Sequence, residues 1–285
     1  MNIEAILAGI ETLPPMPAVA VRLLEAAQDP NADLAKLASL LEKDPAMTAN
    51  LLRRCNSPFY GLRREVTSVR QAASLLGMNH LVQIALTVLS SRYLVSAQGG
   101  YGLAAGALWN RSVVSAIAAE LIAQESGYPG PSTAYTAGLL EDIGKIVLAR
   151  FVEDAMPRIW ELVETKGLGF AEAEQQVVGM DHPHVGALLL ERWRFPPALV
   201  EAVRTHHRPA EASIDPTLAR IAHLADAFTM TIGAGLGADG LAYSLEEEAL
   251  RALGFADQAR VDAILETLAA RASHATDLPD TGRAG

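Results

Sequence analysis

Between Gln71 and Ser91 the chain carries no Asp, Glu, Lys or Arg, and a run of that length must leave water, either in a membrane or in the core of a large fold. Gly77, Asn79, His80 and Gln83 interrupt it. The interruptions weigh against a span and predict two buried helices that meet near Gly77. A chain of 285 residues can form such a core. Half of its residues are hydrophobic but only 5% are aromatic, so the core is expected to consist of Ala, Leu, Val and Ile, of which Ala and Leu strongly favour helix. Helical spacing recurs: Ile3, Ile6, Leu7 and Ile10 share a face, and Val19, Val21, Leu23 and Leu24 open a second helix. No sustained period-two alternation and no Asn-Gly or Asp-Gly hairpin signal appear. The expected fold class is all-α.

Punctuation along the chain sets the organisation. Asp29-Pro30 lies just ahead of one helix, while Asp44-Pro45 and Asp215-Pro216 place an acidic N-cap before a proline whose missing N–H costs nothing in the first turn. The loop Gly127-Tyr128-Pro129-Gly130-Pro131 separates two expected helices, Leu103 to Glu125 and Ser132 to Arg150. Gly99-Gly100-Tyr101-Gly102 marks the best internal boundary. The expectation is a small helical subdomain over 1–98, a larger bundle over 99–273 and a disordered tail over 274–285. Gly233 to Gly240 is glycine-rich but follows a helix rather than a strand, so it reads as a flexible loop and not as a dinucleotide fingerprint.

A net charge of −10 argues against binding nucleic acid by phosphate neutralisation. One basic cluster, Arg53, Arg54, Arg63, Arg64 and Arg70, runs against that balance. It reads first as a solvated rim; as a binding surface it would suit an acidic partner. The single cysteine, Cys55, suits a reducing compartment. Met1-Asn2-Ile3-Glu4 has neither a basic start nor a long apolar stretch. Together these predict a cytoplasmic protein that contacts neither membrane nor nucleic acid.

Potential metal ligands cluster in the second half. Asp142 follows the apolar run Gly138-Leu139-Leu140, His182 precedes Pro183 at a helix start, His206-His207 end a helix from Pro197, and Asp226 lies on the helix through Ile221 and Leu224. Imidazoles and carboxylates from several helices are what a metal centre in a helical bundle requires.

The chain also carries Leu13-Pro14-Pro15-Met16-Pro17, then Asp44-Pro45-Ala46-Met47-Thr48, and Leu51 to Ser57. These are followed by Ala72-Ala73-Ser74-Leu75-Leu76-Gly77, Gly138 to Lys145, His182 to Ala187, Trp193, Pro196 and His206-His207. In number, order and spacing they resemble the HDOD family, the HD-related output domains of bacterial signalling proteins, over roughly residues 10 to 235. The resemblance implies a degenerate branch of the HD and HD-GYP metal phosphohydrolases, so ligand positions can be compared singly. The first-helix histidine, followed by serine in those enzymes, corresponds to Arg111 before Ser112. The histidine of the His-Asp pair corresponds to Glu141, while Asp142, His182, His206, His207 and Asp226 keep the remaining positions. Arg208-Pro209-Ala210 stands where the GYP signature would follow.

Glu141 could still serve a hard cation. Arg111 could not, because a guanidinium has no lone pair to donate. It is expected to replace the ion by pairing with Asp142, Asp226 or Glu141. The resemblance therefore implies a non-catalytic output module that acts through signalling proteins, with no cofactor. Two alternatives remain: a phosphodiesterase using Mn, Fe or Mg, and a nucleotide-sensing module that binds in the remnant cleft. In plainer readings, His206-His207 form a helix C-terminal pair, His80 and His223 are satisfied core or surface residues, Lys145 is a surface or ion-pair residue, and Trp109, Trp160 and Trp193 are packing residues.

Overall fold

The computed structural model describes residues 3–29, 32–235, 237–238 and 245–275. The expected tail beyond residue 275, Pro30, and most of the 236–244 stretch lie outside the described residues. Within them the fold is all-α, with no β-strand. The first group of helices is α1 (Ile3–Thr12), α2 (Ala18–Gln28), α3 (Leu34–Leu41), α4 (Pro45–Cys55) and α5 (Val69–Leu94). There follow α6 (Ala107–Ser126), α7 (Pro131–Leu140), α8 (Lys145–Lys166), α9 (Phe170–Val178) and α10 (His182–Arg192). Last come α11 (Pro197–Thr205), α12 (Pro216–Thr231), α13 (Glu247–Ala252) and α14 (Gln258–Ala275).

The charge-free run becomes α5, broken at Gly77, whose φ of 80° and ψ of 174° no helix contains. After this break every residue from Leu81 to Ser91 is buried. By length and composition α5 is the one described helix apolar enough to cross a membrane. Here it packs on α2, α3, α4 and α7. Helix α6 is buried on all sides between α7, α12 and α14, as a helix without an amphipathic pattern must be.

Asp44 accepts hydrogen bonds from the Ala46 and Met47 amides, and Asp215 accepts one from Leu218. Both capping devices form as the sequence predicts. Two boundaries differ from expectation. Helix α6 begins at Ala107 rather than Leu103, behind a turn closed by the antiparallel bridge between Gln98 and Leu103. The segment expected as one helix from Ser132 to Arg150 is two: α7 stops at Leu140, four residues turn, and α8 runs on to Lys166 across Pro157. The break is set by packing. A Cβ on Gly144 would lie 2.0 Å from the His182 carbonyl oxygen and 2.7 Å from the Gly186 nitrogen, so bare backbone at 144 lets the turn seat directly against α10. The chain ends of α1 and α10 are tied by Arg192, which donates to the carbonyls of Ile10, Glu11 and Leu13.

Candidate functional site

The turn between α7 and α8 delivers Glu141 and Asp142 to the interior, and α6, α10, α11 and α12 converge on it. Arg111 of α6 donates through Nε to Asp142 Oδ2 at 2.7 Å and through Nη2 to Asp226 Oδ1 at 2.5 Å. Lys145, in the first turn of α8, places its Nζ 2.7 Å from Asp142 Oδ1. None of the four side chains is more than 2% exposed. Two cations and two carboxylates thus close a neutral buried cluster, the only arrangement in which such charges are tolerable away from water. Burial alone would raise the Asp142 carboxyl, but Lys145 and Arg111 together hold it well below the usual carboxylate range. Lys145 is therefore an ion-pair residue, and the surface position expected as its alternative is corrected: its position one turn beyond Asp142 points it inward.

Glu141 is buried, and the Ser115 hydroxyl is its hydrogen-bonding neighbour. Burial, reinforced by the charges of Asp226 and Asp142, pushes its carboxyl well above the ordinary value.

The histidines form the other half. Asp181 caps α10 through the His184 amide, which fixes the start of the helix and hence His182. The His182 amide and Nδ1 both meet Glu174 Oε2, at 2.6 and 2.8 Å, while Tyr101 donates to Glu174 Oε1 at 2.5 Å. Burial would lower the His182 pKa, but the charge and hydrogen bond of Glu174, together with the charge of Asp142, outweigh it and raise the pKa. His182 Nε2 lies 3.0 Å from His207 Nε2. His206 Nδ1 faces the Val203 carbonyl at 2.7 Å, and a carbonyl only accepts, so His206 carries its proton there. Its Nε2 has no partner, and burial pushes its pKa down to about 3. His207 is also lowered, by burial and then by its histidine neighbours. His223 is a satisfied core histidine: Nδ1 donates to the His206 carbonyl and Nε2 accepts from the Glu246 amide. His80 is exposed, with Nδ1 on the Leu76 carbonyl.

These residues can be tested against the divalent ion that the resemblance implies. The acidic half does not fit it. A guanidinium and an ammonium already hold both Asp142 oxygens and Asp226 Oδ1, and neither group has a lone pair for a metal. The imidazole half supplies ligand atoms of His182, His206 and His207 within 4.8 Å of one another, a set of the size used by open zinc sites. His182 Nε2 and His207 Nε2 already face each other at hydrogen-bond distance, 3.0 Å, so an ion bound there would displace the proton of that contact.

Sequence reasoning missed Glu174 and Tyr101. Each is an ordinary residue in an amphipathic or glycine-rich segment, and neither carries a motif. The basic cluster also needs correction. Arg53, Arg63, Arg64 and Arg70 are exposed, but Arg54 is 8% exposed and belongs to the interior, because the inward face of α4 carries it beside Leu51 and Cys55.

Comparison with known proteins agrees with this architecture. The HDOD domain family model matches residues 13–209. A protein of uncharacterised function from Treponema pallidum (strain Nichols) is 22% identical over 199 residues, 70% of this chain and 38% of that protein, so the chain spans well under half the length of that relative. Among solved structures, an HDOD domain protein of unknown function from Geobacter sulfurreducens superposes with a TM-score of 0.75 at 22% identity, covering 95% of this chain and 98% of its own. A chain from Marinobacter aquaeolei, provisionally named a signal transduction protein, gives 0.75 at 24% identity over 95% and 63%. One from Shewanella amazonensis, provisionally named a phosphohydrolase, gives 0.70 at 22% identity over 95% and 97%. At these identities the likeness is one of fold.

Proposed function

The chain belongs to the HDOD domain family, and from that premise we propose that it is a non-catalytic, cytoplasmic signal-transduction module whose degenerate HD bundle acts through protein partners. The observation that carries this reading is Arg111 seated between Asp142 and Asp226 at 2.7 and 2.5 Å. A permanent cation there does the electrostatic work of an ion without polarising water or phosphate, so the bundle keeps its shape and loses its chemistry. In this reading residues 1–98 carry the contact surface, with exposed Arg53, Arg63 and Arg64 meeting an acidic partner, and 99–273 form the HD-like scaffold.

The test is metal content together with turnover. Protein incubated with Mn, Fe, Mg and Zn in turn, then desalted, is expected to retain no stoichiometric metal and to leave bis-p-nitrophenyl phosphate intact. The double variant R111H/E141H, which restores imidazole at both lost positions, is expected to gain metal. Unit metal in the unmodified protein with phosphodiester hydrolysis would overturn the proposal. The His182, His206 and His207 nitrogens favour a second reading, a metal-dependent phosphohydrolase that keeps only part of its site; metal retained by the parent and lost in H206Q would establish it.

A further inference from the structure

Away from the Arg111 cluster, a cavity of about 700 Å³ opens between α4, α5 and α6 and the segment joining α4 to α5. Its volume falls in the range of small-ligand pockets. Leu52, Val66 and Val88 give it apolar walls, and Trp109 and Arg54 complete them. We propose that this cavity binds a small organic anion with an apolar body, whose carboxylate or phosphate ester group is received by Arg54.

The argument starts from charge. Arg54 is buried, makes no ion pair among the described residues, and leaves Nε and Nη1 without an acceptor. Guanidinium groups do not lose their proton, so the charge persists. Its surroundings do not neutralise it. The Phe59 ring lies 5.7 Å from the Arg54 guanidinium carbon and 5.4 Å from that of Arg271. The buried acid of this region is Glu120, and it is already engaged. One of its oxygens accepts from Gln83 at 2.6 Å, and the other meets Arg271 at 3.2 Å. Glu120 is thus taken up by Gln83 and Arg271, and Arg54 is the cation left without a carboxylate. Glu65 also lines the cavity, but it is exposed, where water screens its charge.

Two further donors in the same wall lack acceptors. Trp109 Nε1 is buried without a partner, and so is Ser57 Oγ. Buried donors left unmet each carry a desolvation cost that an acceptor-rich group removes. A guanidinium, an indole N–H and a hydroxyl around one apolar chamber suit the oxygens of a carboxylate or phosphate on a hydrophobic stem. The cation fixes the ligand's charge and the walls its body. This inference does not depend on whether the HD remnant is catalytic, since it uses none of the residues of that cluster.

Isothermal titration calorimetry of the full chain tests it with 1-naphthoate, 1-naphthyl phosphate, uncharged 1-naphthylmethanol and inorganic phosphate. At least one naphthyl anion is expected to bind at one site per chain, and the tighter of the two assigns the head group. The uncharged analogue should bind about tenfold or more weaker, as loss of a charge-assisted hydrogen bond dictates. R54Q should weaken the anion by a similar factor and leave the uncharged analogue unchanged. W109F keeps an aromatic wall while removing the indole N–H, and should weaken the anion severalfold; it stands in for R54Q should that variant not fold. R158Q, on the exposed face of α8, should bind as the parent does. The proposal is overturned if neither anion binds stoichiometrically, if the uncharged analogue binds as tightly as the anions, or if R54Q and W109F both match the parent.

Discussion

At the scale of single residues, the interior of this bundle is governed by which charges have partners. Arg111 offsets two carboxylates at once, so truncating it leaves both buried beside Lys145 alone. R111A is expected to lose about 3–5 kcal/mol of unfolding free energy, read from urea denaturation, because breaking a buried pair strands the remaining charge. A loss below about 1 kcal/mol would mean that water or a bound ion already shares the load. Glu141 makes the opposite case. Its carboxyl is raised in the folded state, so its contribution is fully present below the unfolded value of about 4.3 and is lost as pH rises toward the folded value. E141Q, which stays neutral at every pH, should therefore melt at a higher temperature than the parent at pH 7, with the gap closing near pH 4. A gap that is constant across that range would show the side chain ionised in the fold. Much of this residue-level picture is legible beforehand. Arg111, Asp142 and Asp226 stand at positions where the resemblance puts metal ligands, and a guanidinium among carboxylates has few other things to do. Lys145 and Glu174 are not legible, since their burial depends on how a turn and a distant helix pack.

At the scale of elements, period and capping are readable and helix ends are not. The charge-free run becomes a buried helix broken at Gly77 because Gly alone adopts φ of 80° there without strain, and the Asp-Pro caps form because their chemistry is local. The expected helix from Ser132 to Arg150 fails for a non-local reason. Its sequence is helical throughout, but α10 approaches so closely that the chain must turn at 141–144 and present a glycine. G144A therefore isolates the packing that builds the site. The added Cβ would overlap the His182 backbone, so α8 or α10 must shift, at a cost of about 3 kcal/mol or more. The same shift displaces His182, so the loss in thermal stability should be accompanied by changed histidine ring signals in NMR. An alanine variant that is as stable as the parent, with unshifted histidine resonances, would refute the close approach.

For the whole molecule, the balance of histidines fixes the shape of stability against pH. His206, His207 and His223 are each held below their ordinary pKa, chiefly by burial. A histidine depressed in the fold takes up its proton first in the unfolded chain, so its stabilising contribution is complete above about pH 6.5 and declines as pH falls. His182 runs the other way, because Glu174 raises it; its contribution is complete below about pH 6.5 and is lost as pH rises through its folded value. Between about pH 6.5 and 5 His182 is protonated in both states and drops out of the slope. The three depressed histidines remain, each adding up to about 1.4 kcal/mol per pH unit, and outnumber Glu141, whose raised carboxyl slopes the other way. Stability is therefore expected to peak near neutral pH and to fall on the acid side before the carboxylates of ordinary pKa titrate. H206Q removes one of the three protons from that slope. Urea midpoints collected from pH 8 to pH 5 should show the parent declining below pH 6.5 and H206Q declining less steeply. A flat parent profile down to pH 5 would mean that these imidazoles already carry their protons in the fold, and that the neutral histidine half of the cluster is wrongly assigned.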